Sequence, residues 1–387
     1  MKEVQRFYFD HNATTPLSPE VLETAVACLG QVYGNASSIH HFGQAAKQKL
    51  EAARRQVAAL IHASPAEVVF TSGGTEADNL AILGVVRAPS RPQAHLITSA
   101  IEHSAVLATA AQLEREGVAV THLPVSAAGT VNPDDLRRAL RPETVLVSIM
   151  HANNELGTVQ PIADIARIAH EAGVPLHVDG VQALGKIAVD VDSLAVDLYS
   201  MSGHKLYAPK GVGALYVRKG TRLAPTTFGG HHERDRRPGT ENVPGIAALG
   251  AAAELAGRTL TAESERLAAL RDRLEASVLD RISGAGINGA RWNRTPNTSN
   301  IYFDGVDGEA MVIALDLRGF AVSTGSACSS GAITPSHVLI ALGLSADRAR
   351  SSLRFSLGRS NTAEQVDALA DALAASVTHL RRISVHA

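Results

Sequence analysis

Val174-Pro175-Leu176-His177-Val178-Asp179 is a short apolar run that stops on an acid. Strands buried on both faces read this way, and in an open α/β sheet the ligand-binding groups stand at the carboxyl ends of the strands. Outward from it, comparable runs recur at 67–71, 94–98, 119–124, 145–150, 196–201 and 212–217, with helical stretches between them. That alternation predicts an α/β fold, a mostly parallel seven-stranded sheet between helices. The run at 212–217 follows its neighbour closely enough to be antiparallel. Downstream, an Ala-rich helix at roughly 244–258 and a charged helix at about 262–280 meet at the expected domain junction. Ser299-Asn300-Ile301-Tyr302-Phe303 and Leu353-Arg354-Phe355-Ser356-Leu357 read as strands of a smaller α/β domain, joined by the N-terminal segment. The expected division is a large domain over 15–260 and a small one built from 1–14 and 261–387.

The strand ends carry the chemistry. In Met201-Ser202-Gly203-His204-Lys205-Leu206-Tyr207-Ala208-Pro209-Lys210-Gly211, one lysine sits among small, hydroxyl and imidazole groups. Desolvation beside cations lowers a lysine's pKa and leaves an amine able to attack a carbonyl, so Lys205 is a candidate Schiff-base lysine for pyridoxal 5'-phosphate. That cofactor needs a carboxylate at its ring nitrogen, an anion cradle and often a flat group over the ring. Asp179 supplies the carboxylate, and Gln182, three residues on, can hydrogen-bond the ring's phenolic oxygen. The cradle is read from the strand Glu67–Thr71, the turn Ser72-Gly73-Gly74-Thr75-Glu76 and the helical run that follows. Gly73 and Gly74 let backbone N–H groups converge at a helix N-terminus, where an anion is favoured. Thr75 adds a hydroxyl, and Ser202 and His204 approach from the other side. His103 opens a helix where a stacking imidazole is needed, and Asn154 follows the strand at 145–150. Singly, each has an ordinary alternative: Asp179 as a helix cap, Gly-Gly-Thr-Glu as a turn with a capping box, His103 as a structural histidine, Arg354 as a surface ion pair.

Together with Asp10-His11-Asn12-Ala13-Thr14-Thr15-Pro16, Asn35-Ala36-Ser37-Ser38-Ile39-His40, His151-Ala152-Asn153-Asn154-Glu155, Arg237-Pro238-Gly239-Thr240-Glu241-Asn242 and Gly325-Ser326-Ala327-Cys328-Ser329-Ser330-Gly331, these landmarks run nearly end to end. The chain resembles the cysteine desulfurases of the NifS and IscS type, in aminotransferase class V, which have the type I fold of pyridoxal-phosphate enzymes. The resemblance implies that Lys205 carries the cofactor, Asp179 pairs its ring nitrogen, and Gln182 meets its ring oxygen. It implies that His103 stacks on the ring and handles protons, and that Gly74, Thr75, Ser202 and His204 hold the phosphate with Asn154 near the ring. Arg354 matches the arginine for the substrate carboxylate, with Asn12 and Asn35 also at the substrate. Thr240 matches a threonine that completes the partner's phosphate site, which implies a homodimer with shared active sites.

The resemblance further implies that sulfur leaves L-cysteine, yielding L-alanine, and passes to Cys328 as a persulfide for a sulfur acceptor or iron–sulfur scaffold protein. Cys328 lies in a stretch of small residues, so the loop at about 323–334 is expected to be exposed and mobile. Cys28, spaced with Val21 and Ala25 on a helical pattern, is expected in the core. Two other classes remain. A related pyridoxal-phosphate enzyme, such as a selenocysteine lyase or an aminotransferase, has no need of Cys328. A non-catalytic sulfur carrier or scaffold has no need of a complete cofactor site. The ending His379–Ala387 lacks the scaffold-binding tail of an IscS proper, which leaves the acceptor pathway open.

The 387 residues are 45% hydrophobic and 19% charged with net charge −2, the profile of a globular protein without a basic face for nucleic acid or a polybasic membrane patch. Arg234, Arg236 and Arg237 therefore read as substrate, subunit or partner contacts. Two cysteines give no disulfide framework and point to a reducing compartment, the cytoplasm. The start Met1–Arg6 lacks a signal peptide's apolar core, and no run approaches the ~18 residues of a spanning helix. His231-His232-Glu233 has no cysteine nearby and is not read as a metal site. No resident metal is expected, beyond a transient iron–sulfur contact through Cys328.

Overall fold

The computed structural model describes residues 5–88, 93–324 and 334–384. In chain order its strands are β1 (Phe7–Tyr8), β2 (Val68–Thr71), β3 (His95–Ser99), β4 (Ala119–Leu123), β5 (Thr144–Met150), β6 (Leu176–Asp179), β7 (Leu198–Ser202), β8 (Gly213–Val217), β9 (Ala285–Ile287), β10 (Thr298–Phe303), β11 (Phe320–Ala321) and β12 (Ser352–Ser356). The seven expected strands form one sheet in the order β2-β8-β7-β6-β5-β3-β4. As expected, β8 is the antiparallel member, pairing β7 on one side and β2 on the other. Every residue of β5 is buried, because helices cover both faces. Val147 and Ile149 enter one core while Leu146 enters the other, the period-two alternation of a strand. Cys28 is buried with Val21 and Ala25 on the helix Pro19–Gln31.

A second core gathers Phe9, Leu274 and Val278, Ile301 and Phe303, Leu353 and Phe355, and Leu369 and Leu373. There β12, β10 and β9 form an antiparallel sheet, and β1 pairs with β11. The two helices expected around 244–280 are one, Val243–Arg281. Nothing between them breaks a helix: Pro244 lies in the first turn, where proline is tolerated, and Gly257 alone costs only about 1 kcal/mol. What changes along this helix is its neighbour, the large sheet's core near Ile246–Ala256 and the second core from Leu267 to Val278.

β2, β3, β5, β6 and β7 all point their carboxyl ends to the same side. At that side, directly after β6, Gly180 is packed so closely that an added Cβ would lie 1.9 Å from the Tyr199 ring, itself fully buried with its hydroxyl 2.9 Å from His151 Nδ1. We expect Gly180→Ala to cost roughly 1–3 kcal/mol, the usual penalty of overpacking, seen as a lower urea midpoint with unchanged slope.

Candidate active site

The 3₁₀ turn Gly203–Lys205 directly after β7 lifts Lys205 over the sheet's carboxyl edge. Its Nζ donates to the main-chain oxygens of Asn12 and Ala13, each at 2.6 Å. Burial and the Arg354 charge bring the Lys205 pKa down to about 8, against the opposing pull of Asp10 and Asp179. An amine so close to neutrality serves as nucleophile or base.

Asp179 ends β6 and is buried; its Oδ1 accepts from Val181 N at 3.0 Å. Burial raises its pKa, while His103 and Lys205 draw it back. Beneath it, His177 is wholly buried between Ser148 Oγ (2.8 Å) and Ser200 Oγ (2.9 Å), and its pKa falls to about 3. Asp78 and Glu102, also buried, have raised pKa values, Glu102 at about 8, through burial and the charge of Asp179. His103 caps the helix Ser104–Arg115, its Nδ1 accepting from Ala105 N at 3.1 Å. That bond leaves the ring proton on Nε2. Crowding by protein, with help from Lys205 and His337, lowers its pKa and favours the neutral ring, although Asp179 opposes the shift.

The turn at Gly73 and Gly74 follows β2 and opens the helix Gly74–Val86, whose first turn has no side-chain cap. A Cβ on Gly74 would lie 2.8 Å from Val181 and 3.9 Å from Ser202 Oγ, so the glycine leaves a small space between the helix start and a hydroxyl. Helix N–H groups with an uncapped end suit an anion. The alternative reading of this turn as a capping box is not what forms, since the N-cap is Gly73 without a side chain; Glu76 instead accepts from Ser72 N at 2.6 Å, and its carboxylate also pairs with Arg237 at 2.8 Å. Thr75 is exposed beside this turn. His204 holds Thr14 Oγ1 at 3.1 Å, with its pKa lowered to about 4 by burial and then by Lys205.

Gln182 is buried, donating from Nε2 to Asn12 O at 3.0 Å. Asn154 presents its main-chain oxygen to Asn12 Nδ2 and to Arg354 Nη1. Arg354 lies on β12, buried, with Nη2 on Asp10 Oδ1 at 2.7 Å and, among the described residues, no partner for Nε. The Asn12 side chain bonds Lys186, Asn154 O, Thr298 and Asn297, which makes it a hub under the site. Asn35 and Thr240 stand apart and exposed, Asn35 accepting from Ser37 N within its own loop. Cys328 lies outside the described residues, as does most of the segment at about 323–334. The chain on either side of it touches the site: Ser323 exchanges backbone hydrogen bonds with Arg354, and Ser336 Oγ donates to Glu155 Oε2 at 2.6 Å.

Several of these groups escaped sequence reading. Lys186, Asp78 and Glu102 gave no motif and Glu155 carried no role within its landmark, although His177, two residues before Asp179 and so on the same strand face, was a polar residue in an apolar strand. Glu233, in the segment considered for a metal, turns inward to a bidentate pair with Arg54, both bonds at 2.7 Å.

A family model described as aminotransferase class V matches residues 7–369. The chain belongs to that family. Among class V relatives, a protein of Dictyoglomus turgidum named cysteine desulfurase IscS is 49% identical, covering 97% of this chain and 96% of that protein. A cysteine desulfurase IscS of Methanosarcina thermophila is 46% identical over 99% of this chain and 94% of its own length. A solved NifS-like protein superposes with TM-score 0.91 at 37% identity, covering 97% of this chain and all of that one. Another, SspA in complex with cysteine, has TM-score 0.81 at 38% identity and covers 90% and 98% of the two chains.

With its pKa near 8, Lys205 should react with an amine-selective acylating reagent in the cofactor-free protein with a midpoint near pH 8, where a solvated lysine reacts near 10.4. Peptide mapping across pH checks this, and a midpoint above 10 would contradict the buried setting.

Proposed function

We propose that the chain is a cysteine desulfurase dependent on pyridoxal 5'-phosphate, converting L-cysteine to L-alanine and passing the sulfur to Cys328. The observation that carries the reading is the convergence of Lys205, Asp179 and the buried Arg354 at one end of the sheet, in a chain 46–49% identical to proteins named cysteine desulfurase IscS. The residues fit the cofactor: a near-neutral lysine, a buried carboxylate facing cations, and a glycine turn beside Ser202 with an uncapped helix end. When bound, pyridoxal phosphate supplies an electron sink for the substrate's α-carbon.

The chain's own residues do the rest. Lys205 holds the cofactor and, once released, takes the α-proton; a base with pKa about 8 is suited to neutral pH. Asp179 keeps the ring nitrogen protonated, Gln182 faces the ring oxygen and His103 stacks as a neutral ring with its Nε2–H outward. Gly74, Thr75, Ser202 and His204 take the phosphate, with Asn154 near the ring. The planar fork of Arg354 receives the substrate carboxylate, and its Nε, without a partner among the described residues, is a donor left for it. Asn12 supports these groups from below, and Asn35 belongs to the substrate side of the assembled dimer. The Cys328 thiolate bonds the substrate sulfur as the carbon–sulfur bond breaks, its electron pair returning to the carbon that leaves as alanine. An external thiol or an acceptor protein then takes the persulfide sulfur, and an iron–sulfur scaffold is the acceptor most in keeping with the IscS relatives.

Two domains frame this site in the proposal, 15–260 and 1–14 with 261–387. The working unit is a homodimer, supported by exposed Leu22, Val26 and Leu29 along one helix face and by Tyr33, Ile39 and Phe228, the last two 94% and 87% exposed. No helix among the described residues is long and apolar enough to cross a membrane.

The test of the reaction is alanine and sulfide release from L-cysteine with and without reductant. Cys328→Ser should bind cofactor and substrate yet lose turnover by at least about a hundredfold, because a hydroxyl is a poor nucleophile toward sulfur. Undiminished turnover by that variant, with no extra sulfur on the wild-type Cys328 peptide by mass spectrometry, would sink the mechanism in favour of direct elimination.

Sharing of sites is tested separately by mixing Lys205→Ala with Thr240→Ala chains at limiting pyridoxal phosphate. If Thr240 serves the partner's site, each hybrid dimer holds one complete site and activity returns. No recovery, with hybrid dimers verified by mass, places Thr240 elsewhere.

A further inference from the structure

Lys186 is buried and, among the described residues, forms no ion pair, an expensive position for a lysine unless its donors are used. Its Nζ donates to Gln182 Oε1 at 2.5 Å and to Asn12 Oδ1 at 2.8 Å. Burial, with the nearby charges of Lys205 and Arg354, lowers its pKa. The two contacts hold in either protonation state, since a neutral amine still has two N–H donors for two acceptors.

These contacts decide which way the Gln182 amide faces. Lys186 Nζ offers hydrogens on one side, so Oε1 must point there. Asn12 O offers only lone pairs on the other, so Nε2 must point there, as it does at 3.0 Å. Reversing the amide would set its oxygen against the Asn12 carbonyl in a buried place whatever the charge of Lys186, and against a charged Lys186 its N–H groups would also meet only donors. Gln182 Nε2 has a second hydrogen, and it shares the Asn12 O acceptor with Lys205 Nζ, so it lies beside the amine that holds the cofactor.

We infer that Lys186 is a positioning residue that locks the Gln182 amide with its N–H side toward the bound cofactor ring, so that the ring oxygen always meets a donor. The inference rests on the pyridoxal-phosphate reading above. Its signature is spectroscopic: a donor to the ring oxygen stabilises the negative form, so losing it raises the pH midpoint of the bound cofactor's absorbance change.

Three variants, Lys186→Met, Gln182→Met and the double, are compared by affinity of the cofactor-free protein for pyridoxal phosphate and by that midpoint. Lys186→Met should weaken binding about tenfold and raise the midpoint by about one unit, the size of one hydrogen bond to a charged oxygen. Gln182→Met should do the same, and the double variant no more than either, since one orientation is lost once. A wild-type midpoint in Lys186→Met beside a raised one in Gln182→Met overturns the inference. Failure of the wild-type protein to bind pyridoxal phosphate overturns the functional reading instead.

If Lys186→Met does not fold, Gln182→Glu carries the test with Lys186 intact. A carboxylate there accepts from Lys186 but has no N–H for Asn12 O or for the ring oxygen, so some stability is lost at the Asn12 contact and the absorbance midpoint should rise. An unchanged absorbance midpoint in Gln182→Glu would overturn the inference, because it would show that the ring oxygen takes no donor from residue 182.

Discussion

The site depends on one short stretch of main chain, Asn12-Ala13, laid across the carboxyl edge of the large sheet. Its two carbonyls take the Lys205 amine, and the Asn12 carbonyl also takes Gln182 Nε2. The Asn12 side chain reaches the second core's β10 through Thr298 and its flank through Asn297. Thr15 binds back to His204 O, and Phe9, three residues before Asn12, is buried in the second core. A backbone carbonyl turned away from water needs donors, so the amine and the amide satisfy the buried Asn12 while it orders them. The two cores are thereby clamped around the lysine by bonds that are themselves part of the proposed chemistry.

Most of the large sheet was legible because its inner strands are covered twice and therefore run apolar without interruption, as in Val145-Leu146-Val147-Ser148-Ile149-Met150. Even the reversal of β8 could be read from the short connection before it. The helix Val243–Arg281 was not, since its composition shifts from alanine to charge where its partner changes, and composition cannot tell a change of neighbour from an end. β9 has only three residues and β11 two, too few for a period to show. Lys205, Asp179 and Gln182 could be seen because they follow strands at fixed offsets. Lys186 could not: a lysine is ordinarily solvated, and one of the two acceptors that hold this buried one is Asn12, 174 residues away.

On the proposed reading, Arg354 links substrate recognition to the Cys328 segment. Its side chain lies between Asp10 and Asn154 O, and its backbone pairs with Ser323, which leads into that segment. On the far side, Ser336 donates to Glu155, whose backbone neighbour is Asn154. Both approaches therefore rest on the groups that would hold the substrate carboxylate. A carboxylate drawing on Arg354 competes with Asp10, and its effect reaches Ser323 through a single residue.

The buried acids behind the ring position explain how one negative charge is selected there. Asp78, Glu102 and Asp179 are all desolvated, and each of the first two is further raised by the charge of Asp179. Glu102, near 8, stays protonated at neutral pH, and burial pushes the Asp78 pKa well above the usual carboxylate range. His177 between the two serines is neutral to about pH 3 and adds no positive charge to help them. Burial raises the Asp179 pKa too, but of the three only Asp179 has His103 and Lys205 close enough to oppose that rise, together with the Val181 N–H. Of the three, Asp179 at the strand end is the carboxylate whose surroundings favour the charged form most, and its charge disfavours that of its neighbours. A ring nitrogen arriving at Asp179 would meet a single fixed anion on an otherwise uncharged floor, where the low dielectric makes the attraction strong.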